Sequence, residues 1–181
     1  MNFSDLIQKR RSVRQYANKP IAKEDILKCL EAARLAPSAC NSQPWHFIVI
    51  DEPELKARVA SRIFSGLYSM NKFAQDAPVL VAVVSEKMKI LAAIGAQVRS
   101  TQYYLMDVGI ACEHLILQAQ ELGIGSCWMG WFDEKALKEE LRISKDKKID
   151  IVIALGYSAE DKVAPRARKL LKEISSFNNY K

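Results

Sequence analysis

Residues Val79 to Val84 read Val-Leu-Val-Ala-Val-Val, an apolar run with no alternation of polarity. A strand written this way has its sheet covered on both faces. Three further stretches read as strands, Trp45–Ile50, Ser126–Phe132 and Ile149–Leu155, and three of the four are almost continuously apolar. Apolar spacing predicts helices over Ser4–Lys9, Lys23–Leu35, Pro53–Phe64, Thr101–Leu122 and Glu134–Arg142. In the first, Ser4 is expected as N-cap, with Phe3, Leu6 and Ile7 turned inward. In the second, Ile26, Leu27, Leu30 and Ala33 form the apolar stripe, and Pro37 helps to stop the helix. Strands alternating with helices around a doubly covered sheet predict an α/β or α+β sandwich. At 181 residues the expectation is one domain over 1–181.

The stretch Thr101–Leu122 is the least ordinary of the helices. Leu105, Val108, Cys112, Leu115, Ala119 and Leu122 recur at steps of three and four, while Tyr103, Tyr104, Ile110, Ala111 and Leu117 fill much of the remaining circumference. A helix apolar around most of its surface is buried on most sides. Either it crosses the middle of the domain or a second subunit covers its outer face, and a homodimer is the expectation here. Gly123 suits a left-handed cap after Leu122.

Metal chemistry is not expected. Cys29, Cys40, Cys112 and Cys127 form no CxxC pair, and His46 and His114 are far apart, so clustered ligands are missing and reduced thiols are expected. The start Met1-Asn2-Phe3-Ser4-Asp5 is not a basic segment followed by an apolar run, and no stretch approaches the ~20 apolar residues of a spanning helix. The expectation is a soluble cytoplasmic protein with no membrane partner. A net charge of +6 points to anionic partners without choosing among them. The basic residues are not interleaved with aromatics in an RNA-binding pattern, so no nucleic-acid partner is expected.

Four constellations carry the chemistry. Lys9-Arg10-Arg11-Ser12-Val13-Arg14 packs guanidinium groups and a hydroxyl suited to phosphate, although alone it also reads as a solvated basic turn. Pro165-Arg166-Ala167-Arg168-Lys169 is a second basic segment, which converges on the first if the chain termini meet and is otherwise surface charge. Pro37-Ser38-Ala39-Cys40-Asn41-Ser42-Gln43-Pro44-Trp45 is a polar loop rich in donors and acceptors, able to read a polyol or heterocycle edge or simply to turn the chain. Finally, Gly130 inside an apolar strand marks a bulge or a close approach of a planar ligand to the backbone. Gly123 and Gly125 follow a helix and precede a strand, the reverse of the dinucleotide-binding order, so a Rossmann fold is rejected. Walker A, GxSxG and HExxH patterns are absent.

In this order the segments resemble the nitroreductase family in its compact form. The likeness rests on Arg10-Arg11-Ser12-Val13-Arg14, on Pro37-Ser38 through Asn41-Ser42-Gln43-Pro44-Trp45, on Asp76-Ala77-Pro78 at a strand start, on Asp107-Val108-Gly109, and on Leu155-Gly156-Tyr157. The resemblance implies an α+β fold, an α/β/α sandwich with a central mixed sheet, forming an intertwined homodimer with FMN at the subunit interface. Arg10, Arg11, Ser12 and Arg14 would hold phosphate, ribityl chain and pyrimidine edge, and Arg166 and Arg168 would complete the phosphate site. Pro37, Ser38, Ala39 and Asn41 would arrive from the other subunit, Ala39 standing where many relatives carry a hydroxyl residue. The backbone of Met129 and Gly130 would lie near the reactive flavin nitrogen, with Asn71 on the substrate side and residues 86–100 in a lid. The implied activity is reduction of FMN by NADH or NADPH, then hydride transfer to a small electron-poor acceptor such as a nitroaromatic or quinone. No acid–base side chain is assigned. The alternative is a non-catalytic flavin carrier or sensor.

Overall fold

The computed structural model describes residues 2–86, 101–160 and 166–180. Strands β1 (Trp45–Ile50), β2 (Val79–Ser85), β3 (Gly125–Met129) and β4 (Lys148–Gly156) form one sheet in the order β1-β2-β4-β3. Val79–Val84 are all buried because β2 is central and covered on both faces. Alternate residues feed two separate cores: Val79, Val81 and Val83 one of them, Leu80, Ala82 and Val84 the other.

Helices α2 (Lys23–Arg34) and α4 (Tyr103–Glu121) cover the first face. Helices α3 (Pro53–Ile63) and α5 (Glu134–Leu141), with a 3-10 segment at Gly66–Asp76, cover the second. Helix α1 (Phe3–Lys9) packs against α4, and a short α6 (Leu171–Ile174) lies near the C-terminus. The result is an α+β structure in α/β/α layers. Every pairing between the four strands is antiparallel, and the parallel component expected of a mixed sheet is confined to an isolated bridge between Ser12 and Ser126. Continuous apolarity reports burial on both faces, and these helical layers supply that burial whatever the strand direction.

Local signals set most of the helix ends. Asp133 caps α5 by accepting from the Ala136 N–H at 2.9 Å, and Glu52 caps α3 with Pro53 at its first position. Gly123 has φ +76°, and the next residue, Ile124, donates back to Ala119 O at 2.8 Å, closing α4 as a left-handed cap does.

Other expectations are corrected. The N-cap of α1 is Asn2, whose side chain accepts from Asp5 N–H, and the helix buries no residue: Phe3 and Ile7 are exposed. Leu27 and Leu105 also stand exposed, so their stripes are narrower within one chain than periodicity implies. Strand β3 stops at Met129 and leaves Gly130 outside it, with nothing within 4 Å of where a Cβ would sit.

Gly125 is a tighter case. A Cβ there would fall 2.5 Å from Val13 Cγ2 and 3.1 Å from Gly156 O, and both neighbours are held by the sheet. We expect Gly125→Ala to lower stability by about 1–3 kcal/mol through overpacking. Urea unfolding measures it, and an unchanged midpoint would show that the Val13 segment yields freely.

Candidate functional site

After α1 the chain turns at Arg10 and runs extended along the end of the sheet. Val13 N–H donates to Ser126 O at 2.9 Å, Ser12 bridges Ser126, and Tyr16 bridges Ser158. Tyr16 OH donates to Val13 O at 2.8 Å, and burial, foremost, pushes its phenol far above the ordinary range, so it stays a donor. Val13 and Tyr16 are fixed in the core, and Arg10, Arg11, Ser12 and Arg14, on either side of Val13, stay exposed or partly exposed.

The distant basic segment arrives at the same place. Arg10, Arg11, Ser12, Arg14, Glu160, Arg166 and Arg168 line one cavity of about 450 Å³. The Arg166 guanidinium donates to Ile7 O at 3.0 Å, to Gln8 O at 2.7 Å and to Arg10 O. These carbonyls belong to the end of α1, where intrahelical donors run out and the helix dipole favours a cation. Arg166 is therefore a clasp on α1 as well as part of the cavity wall. Arg168 donates to the carbonyl of Ala167 at 2.8 Å. Arg11 lies 3.9 Å from Glu160, the one carboxylate of the lining among the described residues. Partial burial first, then the positive charges of Arg168 and Arg10, hold the Arg166 guanidinium below its usual pKa. Guanidinium groups crowded this way make a site for an anion with several oxygens.

Gly130, just past the end of β3, lines a separate cavity of about 340 Å³ together with Tyr68, Trp131 and Phe132. Trp131 Nε1 donates to Leu67 O at 2.9 Å, and the Tyr68 and Trp131 rings lie 5.3 Å apart. Asn71 Nδ2 donates to Trp131 O at 2.8 Å, so this amide is committed to holding the Trp131 backbone. Arg14 stands 5.9 Å above the Phe73 ring, which ties the 3-10 segment to the arginine cavity.

Pro37, Ser38, Ala39 and Asn41 do not line the arginine cavity of their own chain. They belong to a loop that includes a 3-10 turn at Ala39–Asn41, with positive φ at Cys40 (52°), Asn41 (52°) and Gln43 (48°). Ser38 Oγ accepts from Gln43 N–H at 2.9 Å, and Asp107 Oδ1 on α4 accepts from Ala39 N–H at 3.0 Å. Of the segment expected as a lid, residues 87–100 lie outside the described residues, as does residue 165 of the second basic segment.

Sequence reasoning missed Glu160, Phe73, Tyr68 and the part played by Asp107. An acidic residue just before the second basic segment was the available signal for Glu160. Asp107 stands out as an acidic residue in an apolar helix, though nothing local gives its partner, and nothing local marks Phe73 or Tyr68. Among the described residues no group of His, Cys, Asp or Glu is arranged to hold a metal, and no helix is long and apolar enough to cross a membrane.

Replacing Arg166 by Gln removes the cation from three carbonyls at the end of α1. The group is partly exposed, so the expected loss is on the order of 1 kcal/mol. Amide exchange at Arg10 N–H, bonded to Leu6 O at 2.9 Å, should quicken. Unaltered exchange there would remove the clasp.

The nitroreductase family model matches residues 7–157. A protein of Archaeoglobus fulgidus, named provisionally as an NADH dehydrogenase/NAD(P)H nitroreductase, is 36% identical over 165 residues, covering 87% of this chain and 86% of that protein. An iodotyrosine deiodinase of Thermotoga neapolitana is 26% identical, covering 96% of this chain and 97% of its own. Among solved structures, an FMN-dependent nitroreductase of Clostridium difficile superposes with TM-score 0.76 at 30% identity, covering 97% of this chain and 98% of that one. A nitroreductase family protein of Streptococcus pneumoniae reaches TM-score 0.79 at 27% identity, with coverage of 97% and 99%. The matched stretch contains the whole sheet and the Arg10–Arg14 side of the anion cavity, and the chain belongs to the nitroreductase family.

Proposed function

We infer that the arginine cavity receives the phosphate of FMN and that the chain is a single FMN-binding domain working as a cytoplasmic NAD(P)H-dependent oxidoreductase. The observation that carries this is the convergence of Arg10, Arg11, Ser12 and Arg14 with Arg166 and Arg168 on one cavity of about 450 Å³. The donor set fits a phosphomonoester, because planar guanidinium forks match phosphate oxygens in pairs and a bound dianion relieves the crowding of like charge. By capping α1, Arg166 fixes the backbone from which Arg10, Arg11 and Ser12 reach. Four free cysteines agree with a reducing compartment.

Gly130, just past β3, offers a stretch of backbone without a Cβ, as a planar ring needs. Bound FMN would supply the hydride chemistry between NADH or NADPH and the acceptor. The chain's own part would be to bind and orient it. Exposed Leu67, Met70 and Trp131 beside this stretch suit a small, planar, electron-poor acceptor such as a nitroaromatic or quinone. Relatives named as NADH dehydrogenase and iodotyrosine deiodinase have chains of similar length, so the fold alone does not select the acceptor.

Two observations support a homodimer with a shared site. Leu105, Met106 and Ile110 are exposed on α4, and Leu170, Leu171, Ile174 and Phe177 are exposed in the C-terminal arm. In addition, Pro37, Ser38, Ala39 and Asn41 stand away from their own arginine cavity, in keeping with delivery to the FMN of a second copy.

In fluorescence titration with FMN, Arg11→Glu and Arg168→Glu should each weaken affinity at least about tenfold, each replacing a charge-assisted partner by a like charge. Wild-type affinity in both would sink the phosphate assignment. NADH or NADPH should bleach the yellow protein, whereas colour that ignores both would mark a carrier or sensor. Sedimentation of the flavin-bound protein should give twice the 20.4 kDa chain mass. A monomer would remove the shared site.

A further inference from the structure

Asp107 is a buried acidic residue in the interior of α4, 5% exposed, beside the fully buried Val108. One carboxyl oxygen, Oδ1, accepts from Ala39 N–H at 3.0 Å. The other, Oδ2, is buried without a hydrogen-bond partner among the described residues. A buried polar atom left unpaired lowers stability, so core packing does not account for a carboxyl group here. What it does supply is a bond from a rigid nineteen-residue helix to the loop beneath it.

That loop needs holding. Cys40, Asn41 and Gln43 all have positive φ, a conformation that non-glycine residues keep only when their surroundings impose it. Ser42 Oγ to Ala39 O at 2.6 Å and Gln43 N–H to Ser38 Oγ at 2.9 Å close the loop on itself, but neither fixes it to the body of the protein. The Asp107 bond does, at Ala39, the first residue of the turn.

We propose that Asp107 is the positioning residue for the Ser38–Asn41 turn, setting from within the core the height and angle at which the loop is presented. The proposal rests on the reading that this loop contributes to an FMN site, and it names the residue that sets the loop's share of that site. Asp107 is buried and does not line the arginine cavity. It acts through the backbone of Ala39.

The test compares Asp107→Ala, Asp107→Asn and Ala39→Pro in the full-length protein, with thermal midpoints to verify folding. Proline at 39 removes the N–H donor without touching the helix, and Ser38 is already extended (φ −149°, ψ 156°), as a residue before proline must be. Two readouts are taken: FMN affinity, and the alkylation rate of Cys40 by a maleimide in FMN-free protein. Cys40 is the exposed cysteine, while Cys29, Cys112 and Cys127 are buried. Asp107→Ala and Ala39→Pro should each lose about tenfold in FMN affinity as preorganisation is lost, and should change Cys40 alkylation severalfold. Asp107→Asn keeps an acceptor oxygen and should stay near wild type in both. Wild-type behaviour of both Asp107→Ala and Ala39→Pro would overturn the proposal, as would an Asp107→Asn as defective as Asp107→Ala. Should Asp107→Ala fail to fold, Ala39→Pro decides. If the wild-type protein binds no FMN, the flavin reading falls, and Cys40 reactivity still settles whether Asp107 holds the loop.

Discussion

The attachment of the Ser12–Tyr16 segment to the end of the sheet is the interaction on which the site depends. Val13 N–H donates to Ser126 O, Tyr16 pairs with Ser158, and Gly125 is a glycine because Val13 leaves no room for a Cβ. This short extension of the sheet orders a run of like charges that would otherwise repel itself into solvent. It also sets the end of α1 where Arg166, more than 150 residues later in the chain, closes on it. A local backbone constraint thereby becomes a charged cavity assembled from both ends of the chain.

Arg166 serves the fold and the cavity at once. Arg166 satisfies carbonyls that α1 cannot satisfy itself, and in doing so places its charge beside Arg10 and Arg168. Crowding of like charge around this cavity costs free energy. Glu160, 3.9 Å from Arg11, offsets a small part of that excess. The separate cavity at Gly130 follows another logic: Asn71, Trp131 and Leu67 hydrogen-bond among themselves so that Gly130 stays open and the apolar surfaces beside it stay exposed.

Much of the fold is legible because periodicity is a local property. The strands at Trp45–Ile50 and Val79–Ser85 and the helices at Lys23–Arg34 and Pro53–Ile63 agree with the apolar pattern to within a residue. The first helix is the instructive exception. Its apolar residues were expected to face a core, yet Phe3 and Ile7 are exposed in a single chain, since an apolar residue signals burial without saying against what. Gly130 reads as part of a strand for a similar reason: Met129, Trp131 and Phe132 are apolar on either side of it, although only Met129 is in β3.

From its sequence alone this chain determined, to within a few residues, where its four strands and five of its α-helices lie and which segments carry guanidinium groups, because both follow from side-chain type and spacing along the backbone. Tertiary structure alone decided that the strands pair antiparallel, that Arg166 grips α1, that the Asn71 amide is taken up by Trp131, and that Asp107 reaches Ala39. Each of these is a relation between groups far apart in the chain, and hydrogen-bond geometry comes into being only when packing has brought donor and acceptor within about 3 Å of each other.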